Sequence, residues 1–331
     1  MASEEGGRQC GLRARPIWLR HGLQELRERA TCSGPASVTA APVVVSVIVP
    51  YYGERAALER CLQSLAHQTV GRESFEVIVV NNRPAQALTL EVSDLLANLA
   101  VVDEAQLGSY AARNRGAMLA RGRWLAFTDA DCVPDDHWLE AGLLHAARHE
   151  PLGGHIELVM TNPQSLVEKY DVAFGLNQQS YVEKSGFAAT ANLIVAKTTF
   201  DKVGPFCARL RSAGDWEWCL RAARAGHPVG YCAGAIVRHA TRTTWRQVVR
   251  KALRVQGGML TLRMQLHLAL APGACRSLLD AFYPRRYVAK IIAIRNAGDP
   301  SWWKLYLAAC GVNALAVAET CRLRLGGTPL R

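Results

Sequence analysis

Residues 43–49 read Val-Val-Val-Ser-Val-Ile-Val, and Pro50 ends the run. It is apolar and β-branched almost without a break. A half-buried strand alternates apolar and polar positions; this one does not, so both of its faces are covered. Strands of that kind belong to parallel sheets with helices on both sides.

The next segments fit a sheet of that kind. Tyr51-Tyr52-Gly53-Glu54 makes a turn, and Leu58, Cys61, Leu62 and Leu65 recur at the spacing of one helical face. Residues 75–80 form a second apolar run ending in Asn81-Asn82-Arg83-Pro84. A helix is expected over 86–96, a short third strand over 100–102, and a helix over 106–120 that carries Arg113 and Asn114. Residues 124–127 give a fourth strand, and Pro134, Asp135 and Asp136 then open what reads as another helix. Strands alternating with helices imply right-handed βαβ units. The expected fold is α/β, an open doubly wound, mostly parallel, Rossmann-like sheet. Ligands of such sheets bind at the C-terminal strand ends. The turns after Val49, Val80 and Phe127 should therefore meet at one site.

The fourth strand delivers Asp129 and Asp131 into its C-terminal loop. Two carboxylates there suit a hard divalent ion, Mg²⁺ or Mn²⁺, whose shell a substrate's phosphates complete. An Asp-rich strand end also serves as a turn and helix cap, and the pair alone leaves both readings open. No GxGxxG follows the first strand, which argues against hydride transfer with a dinucleotide.

Charge is distributed unevenly. Residues 241–331 hold 15 Lys/Arg against 3 Asp/Glu, net +12, while the whole chain is +11. That calls for an anionic partner such as a phosphate-bearing substrate or an anionic membrane surface. Nucleic acid fits the charge, but the segment has no RNP, zinc-finger or KH pattern. Trp245, Val248, Val249, Ala252 and Leu253 line one face of an expected helix, with Arg246, Arg250, Lys251 and Arg254 on the other. Residues 305–318 are mostly apolar, too short a run to span a bilayer. With Trp302, Trp303 and Tyr306 beside them they fit a surface-lying helix, or one packed on the main domain. Residues 177–187 read as a loop facing the acceptor or as ordinary loop. The ten cysteines form no CxxC pair and the N-terminus has no signal-type apolar stretch. The expected location is therefore cytoplasmic, extending to the inner membrane face.

Six motifs in order give the sequence a closer likeness. They are Val-Ile-Val-Pro-Tyr-Tyr-Gly-Glu (47–54), Glu-Val-Ile-Val-Val-Asn-Asn (76–82), Ala-Arg-Asn-Arg-Gly (112–116) and Phe-Thr-Asp-Ala-Asp (127–131). Ala-Gly-Asp-Trp-Glu-Trp-Cys-Leu-Arg (213–221) and Val-Arg-His-Ala-Thr-Arg (237–242) complete the set. The chain resembles the family 2 glycosyltransferases, which have the nucleotide-binding A-type fold. The motifs cover residues 43 to about 258, and with the composition they give an expected N-terminal arm and linker over 1–42, a catalytic domain over 43–242 and a basic helical extension over 243–331. The resemblance implies that Pro50, Tyr51 and Glu54 line the nucleoside pocket. Asn81 falls where the family has an Asp that meets the base, which leaves the base open. Arg113 would lie near the phosphates or base. Asp129 and Asp131 match the metal-binding DxD, with Asp131 the direct ligand and His239 a further one. Arg242 would hold the pyrophosphate. Asp215 would be the catalytic base, though the family's Glu-Asp pair is Gly214-Asp215 here.

The implied activity is metal-dependent, inverting transfer from a nucleotide-diphospho-sugar to a hydroxyl of a saccharide or lipid-linked acceptor. The setting would be cell-envelope or surface polysaccharide or glycolipid synthesis. The missing Glu leaves a catalytically inactive scaffold as the competing reading. A basic nucleic-acid-binding protein is the other.

Overall fold

A computed structural model describes residues 43–86, 88–265 and 285–328. The expected N-terminal arm and linker, residues 1–42, lie outside the described residues. β1 (Val45–Tyr51) is the central element. Val45, Val47 and Val49 pack against α1 (Arg55–Ala66) through Leu58, Cys61, Leu62 and Leu65. Ile48 faces the other way, onto α2 (Ser109–Leu119). Val47, Ile48 and Val49 are fully buried, which is why the run does not alternate. Each such side chain contributes about 1.5–3 kcal/mol. Gly116 lets α2 lie close: a Cβ there would sit 2.6 Å from Ile48 Cγ2.

β2 (Phe75–Asn81), β3 (Leu99–Asp103) and β4 (Trp124–Thr128) complete a parallel set with β1. The remaining strands are β5 (Cys132–Pro134), β6 (Leu152–Val159), β7 (Asn192–Ala196) and β8 (Gly230–Ala240). Among the described residues the sheet order is β3-β2-β1-β4-β7-β6-β8-β5. The parallel character is interrupted by β7, antiparallel to β4 and β6, and by β5, antiparallel to β8. The expected helix at Pro134 is therefore a short strand. Pro134 is tolerated because β5 is the sheet edge, where no ladder donor is needed. α3 (Trp138–Ala146) starts only four residues later.

Two other expectations change. Among the described residues of 86–96 there is no α-helix, only a 3-10 turn over Ser93–Leu95. Leu88, Leu90 and Val92 point inward at period two, so this stretch lies extended along the core. Residues 177–187 are not a loop but carry α5 (Gln178–Ser185). Asn177 caps it by accepting from Ser180 N at 2.9 Å, and Gly186 ends it in the left-handed region. Before it comes α4 (Leu166–Phe174), and α6 (Lys197–Val203) and α7 (Gly214–Arg224) come after β7.

α8 (Trp245–Gln265), α9 (Arg285–Asn296) and α10 (Trp302–Arg324) come after β8. They share a core with α4 built on Tyr170, Val248, Ile291, Leu305 and Ala309. No helix of the described residues is long and apolar enough to cross a membrane.

Candidate active site

The C-terminal ends of the parallel strands lie side by side. Tyr51 is in register with Asn81, and Asn81 with Asp103. Beyond β4 the chain turns at Asp129, whose carbonyl accepts from Cys132 N at 3.1 Å. It then runs into β5, where Cys132 is paired with His239 of β8. That pairing brings Asp131 to His239 across 108 residues of sequence, with Oδ2 3.6 Å from Nε2.

The two aspartates are not equivalent. Asp129 Oδ1 accepts a short hydrogen bond from Arg113 Nη2 on α2, so its charge is already paired. Asp131 is 58% exposed and lies against the imidazole. His239 Nδ1 lies 2.6 Å from the Ala240 carbonyl. Only N–H can donate there, so in the neutral ring the lone pair is on Nε2, beside Asp131. Asp131, Cys132 and His239 could each offer a ligand atom, all within 4.8 Å of one another. Burial, together with Asp129 and Asp131, pushes the Cys132 thiol well up, and a soft sulfur is a poor match for a hard divalent ion. One carboxylate oxygen and one imidazole nitrogen remain, a donor set that fits Mn²⁺ or Mg²⁺ completed by phosphate oxygens.

Asp215 opens α7 at the floor of the same recess. Its Oδ1 accepts from Trp216 N at 3.0 Å and from Tyr110 Oη at 3.2 Å. A place in the first turn of a helix favours the ionised form of a carboxylate. Burial outweighs it: the carboxyl is raised, although Trp216 N–H, Arg113 and Tyr110 pull the other way. Ala213, just before it, has φ 64°, a left-handed backbone that costs about 1 kcal/mol or more outside glycine. Gly214 has a steric reason. A Cβ there would lie 2.7 Å from the Tyr110 ring, so the space of the family's Glu is taken by Tyr110.

Arg242 lines the recess, but its Nη1 is bound to both oxygens of buried Asp171 at 3.0 Å. Asp171 also accepts from Arg242 N at 2.9 Å. Glu168, one turn earlier on α4, accepts from Thr241 Oγ1 at 2.8 Å. α4 thus fixes the end of β8 just past His239, a role the sequence did not suggest. Asn81 departs from its expected place and is not among the residues lining the recess. Its amide donates to Asp103 Oδ1 and the Gln86 carbonyl, and its oxygen accepts from Arg83 N. Its neighbour Asn82 does line the recess, and accepts from Gly108 N at 2.7 Å. Asn192 is likewise spent in the core, on Trp138 Nε1 and two carbonyls.

All other expected residues line one recess of about 1030 Å³: Pro50, Tyr51, Glu54, Arg113, Asp129, Asp131, Asp215, His239 and Arg242. Tyr181, Phe187 and Trp216 add an aromatic wall, the first two stacked at 4.9 Å. Four buried side-chain nitrogens lack a partner among the described residues: Arg113 Nε, Trp124 Nε1, Trp216 Nε1 and Lys251 Nζ. Three of these residues, all but Trp124, line this recess. Buried donors are normally satisfied; unsatisfied ones grouped around a cavity suit an acceptor-rich, anionic ligand.

The family model described as Glycosyl transferase family 2 matches residues 46–214. Glycosyltransferase AglE of Haloferax volcanii is 31% identical over 289 residues, which is 84% of this chain and 92% of that protein. A PGL/p-HBAD biosynthesis glycosyltransferase of Mycobacterium bovis is 30% identical over 195 residues, 55% of this chain and 70% of its own. The mannosyltransferase PcManGT from Pyrobaculum calidifontis, solved with GDP-Man and Mn²⁺, has the same fold. It aligns at TM-score 0.55 and 19% identity over 92% of this chain and 96% of that one. The chain belongs to glycosyl transferase family 2. It is a glycosyltransferase with the A-type fold.

Proposed function

We propose that this enzyme transfers a sugar, with inversion, from a nucleotide-diphospho-sugar to an acceptor hydroxyl, and that it needs Mn²⁺ or Mg²⁺. The observation that carries this reading is the meeting of Asp131 and His239 with Asp215 in a recess whose unpaired donors await an anion. Pro50, Tyr51 and Glu54 would border the nucleoside. Asp131 and His239 would hold the ion, with Asp129 locked by Arg113 as its support. The bound ion would supply positive charge to the leaving diphosphate as a Lewis acid.

The chain's own groups do the rest. Arg113 Nε and the donors of Arg242 not spent on Asp171 would meet phosphate oxygens. Asp215 would take the proton of the acceptor hydroxyl as that oxygen bonds to the anomeric carbon. The bond from that carbon to the diphosphate breaks, and its electron pair leaves with the nucleoside diphosphate. One base and one displacement give inversion. A raised pKa suits Asp215, because a base is most effective when its pKa is near working pH. The aromatic wall would pack on sugar faces.

The relative named for PGL/p-HBAD biosynthesis supports a biosynthetic role for this enzyme, with an envelope or surface polysaccharide or glycolipid as the proposed product. Trp303, Leu307 and Leu315 are exposed along one side of α10, beside a strongly basic segment. They support attachment to an anionic membrane surface. The test is turnover of a panel of sugar nucleotides with Mn²⁺. Asp215→Asn and Asp131→Ala should each cut turnover at least a hundredfold while folding normally. Equal activity in the Asn variant would remove Asp215 from its role.

A further inference from the structure

Lys251 belongs to the polar face that the sequence assigns to α8, where four basic residues would meet water. The structure puts it elsewhere. Its Nζ is closed off from solvent and has no hydrogen-bond partner among the described residues, while its side chain lines the recess. The nearest opposite charges do not serve it. Asp171 is spent on Arg242, and Asp131 faces His239. Burial pulls the ammonium down to about 8, helped by Arg242 and Arg254. A buried cation in this state lacks a counter-ion.

α8 is anchored to the segment that carries the base. Gly258 lies so near Ser212 that a Cβ would come within 2.6 Å of its carbonyl oxygen. Arg254 Nη1 donates to the Arg211 carbonyl at 3.5 Å. Ser212 is three residues before Asp215, so Lys251, Arg254 and Arg211 are held with respect to the carboxylate that must meet the acceptor. All three line the recess. So do Val255, Met259 and Leu260 further along α8, an apolar continuation beyond the cations.

We propose that the acceptor carries a phosphate, and that Lys251, with Arg254 and Arg211, forms the subsite that holds it beside Asp215. The inference rests on the transferase reading above. The phosphate is a bystander: it fixes the acceptor while a hydroxyl elsewhere on the molecule attacks. The diphosphate of the donor would have its own partners in Arg113, Arg242 and the ion held by Asp131 and His239. The cations on α8 are additional to those, and Arg254 is bonded to the carbonyl of Arg211, four residues before the acceptor's base. A lipid phosphate and a sugar phosphate share this chemistry. The apolar residues on α8 suit the first, and the aromatic wall suits the second.

The experiment is binding calorimetry on the full chain with a nucleoside diphosphate and Mn²⁺ present. Farnesyl phosphate is compared with farnesol, and glucose 1-phosphate with methyl glucoside. At least one phosphate compound should bind tenfold or more tightly than its partner, and which one does so names the source. Lys251→Met should erase that preference and leave binding of the uncharged partner as it was; Lys251→Arg should restore it. Removing an unpaired buried charge should not lower the melting temperature, and Arg254→Met provides a second variant expected to weaken the same preference. No preference for either phosphate in the wild type overturns the proposal. So does a Lys251→Met variant whose loss falls on the nucleoside diphosphate, since Lys251 would then serve the donor. Failure of the transferase reading shows separately, as no binding of any nucleoside diphosphate with Mn²⁺.

Discussion

Asp215 shows how one environment sets opposite demands. As the proposed base it must be unprotonated to accept a proton, yet burial raises its pKa. Turnover should therefore fall on the acid side through a midpoint above the usual Asp value of about 3.9. Tyr110→Phe removes a bond to the carboxylate and should move that midpoint up, read from a pH profile of kcat/KM. The stability effect has a definite sign. The folded pKa exceeds the unfolded one, so ionising Asp215 destabilises the fold. That cost is absent below the unfolded value and complete above the folded one. At neutral pH Asp215→Asn should thus raise the melting temperature of the nucleotide-free protein while cutting turnover about 10²–10⁴-fold. The DxD pair should divide differently. Asp129→Ala leaves Arg113, whose side chain is 5% exposed, without its carboxylate, and should cost about 3 kcal/mol in denaturant unfolding. Asp131→Ala removes a 58% exposed side chain and should change stability by no more than about 0.5 kcal/mol. Its loss should fall instead on the response to Mn²⁺.

At the scale of elements, helix positions depend on a few close approaches. A mid-helix Gly→Ala change ordinarily gains about 1 kcal/mol. Gly311 on α10 has open space around it, and Gly311→Ala should show that gain. Gly258→Ala should do the reverse, losing about 1–3 kcal/mol, because its Cβ meets the Ser212 backbone. Chemical denaturation of both variants checks the pair, and a gain at Gly258 would contradict the clamp between α8 and the Asp215 segment. Strands 1, 2 and 4 were legible because a doubly covered strand leaves a nearly continuous apolar run, interrupted here only by Ser46 and Glu76. Residues 86–96 were not: period-two apolar positions without a ladder partner resemble a poor helix as much as an extended coil. Residues 177–187 hid their helix because its caps, Asn177 and Gly186, read equally well as loop residues. The site was legible where motifs end strands, as at Asp129, Asp131 and His239. Tyr110 and Asp171 were not, since each acquires its meaning only from a partner 70 or more residues away; nor was Lys251, whose place on a basic helix face gives no sign that the fold buries its ammonium.

Across the whole molecule, charge is segregated: the last 91 residues are net +12 in a chain of net +11. The described part of that segment also exposes Trp303, Leu307, Ile292 and Leu315. Lys304 lies 5.5 Å from the centre of the Trp303 ring. The full chain should float with anionic vesicles at low salt and detach as salt rises, since surface charge is screened within about 10 Å at 0.1 M. Replacing Trp303 and Leu307 by serine should weaken flotation. Binding indifferent to lipid charge would refute the electrostatic part of this picture.

Nucleotide and metal should bind together in one recess, through Asp131 and His239. Thermal denaturation with a panel of nucleoside diphosphates, with and without Mn²⁺, is the decisive experiment. One diphosphate at a hundredfold excess over its Kd should stabilise the wild type by about 3 kcal/mol. That gain should need Mn²⁺ and vanish in Asp131→Ala. Stabilisation that is the same without the metal, or that survives the loss of Asp131, would contradict a shared nucleotide and metal site.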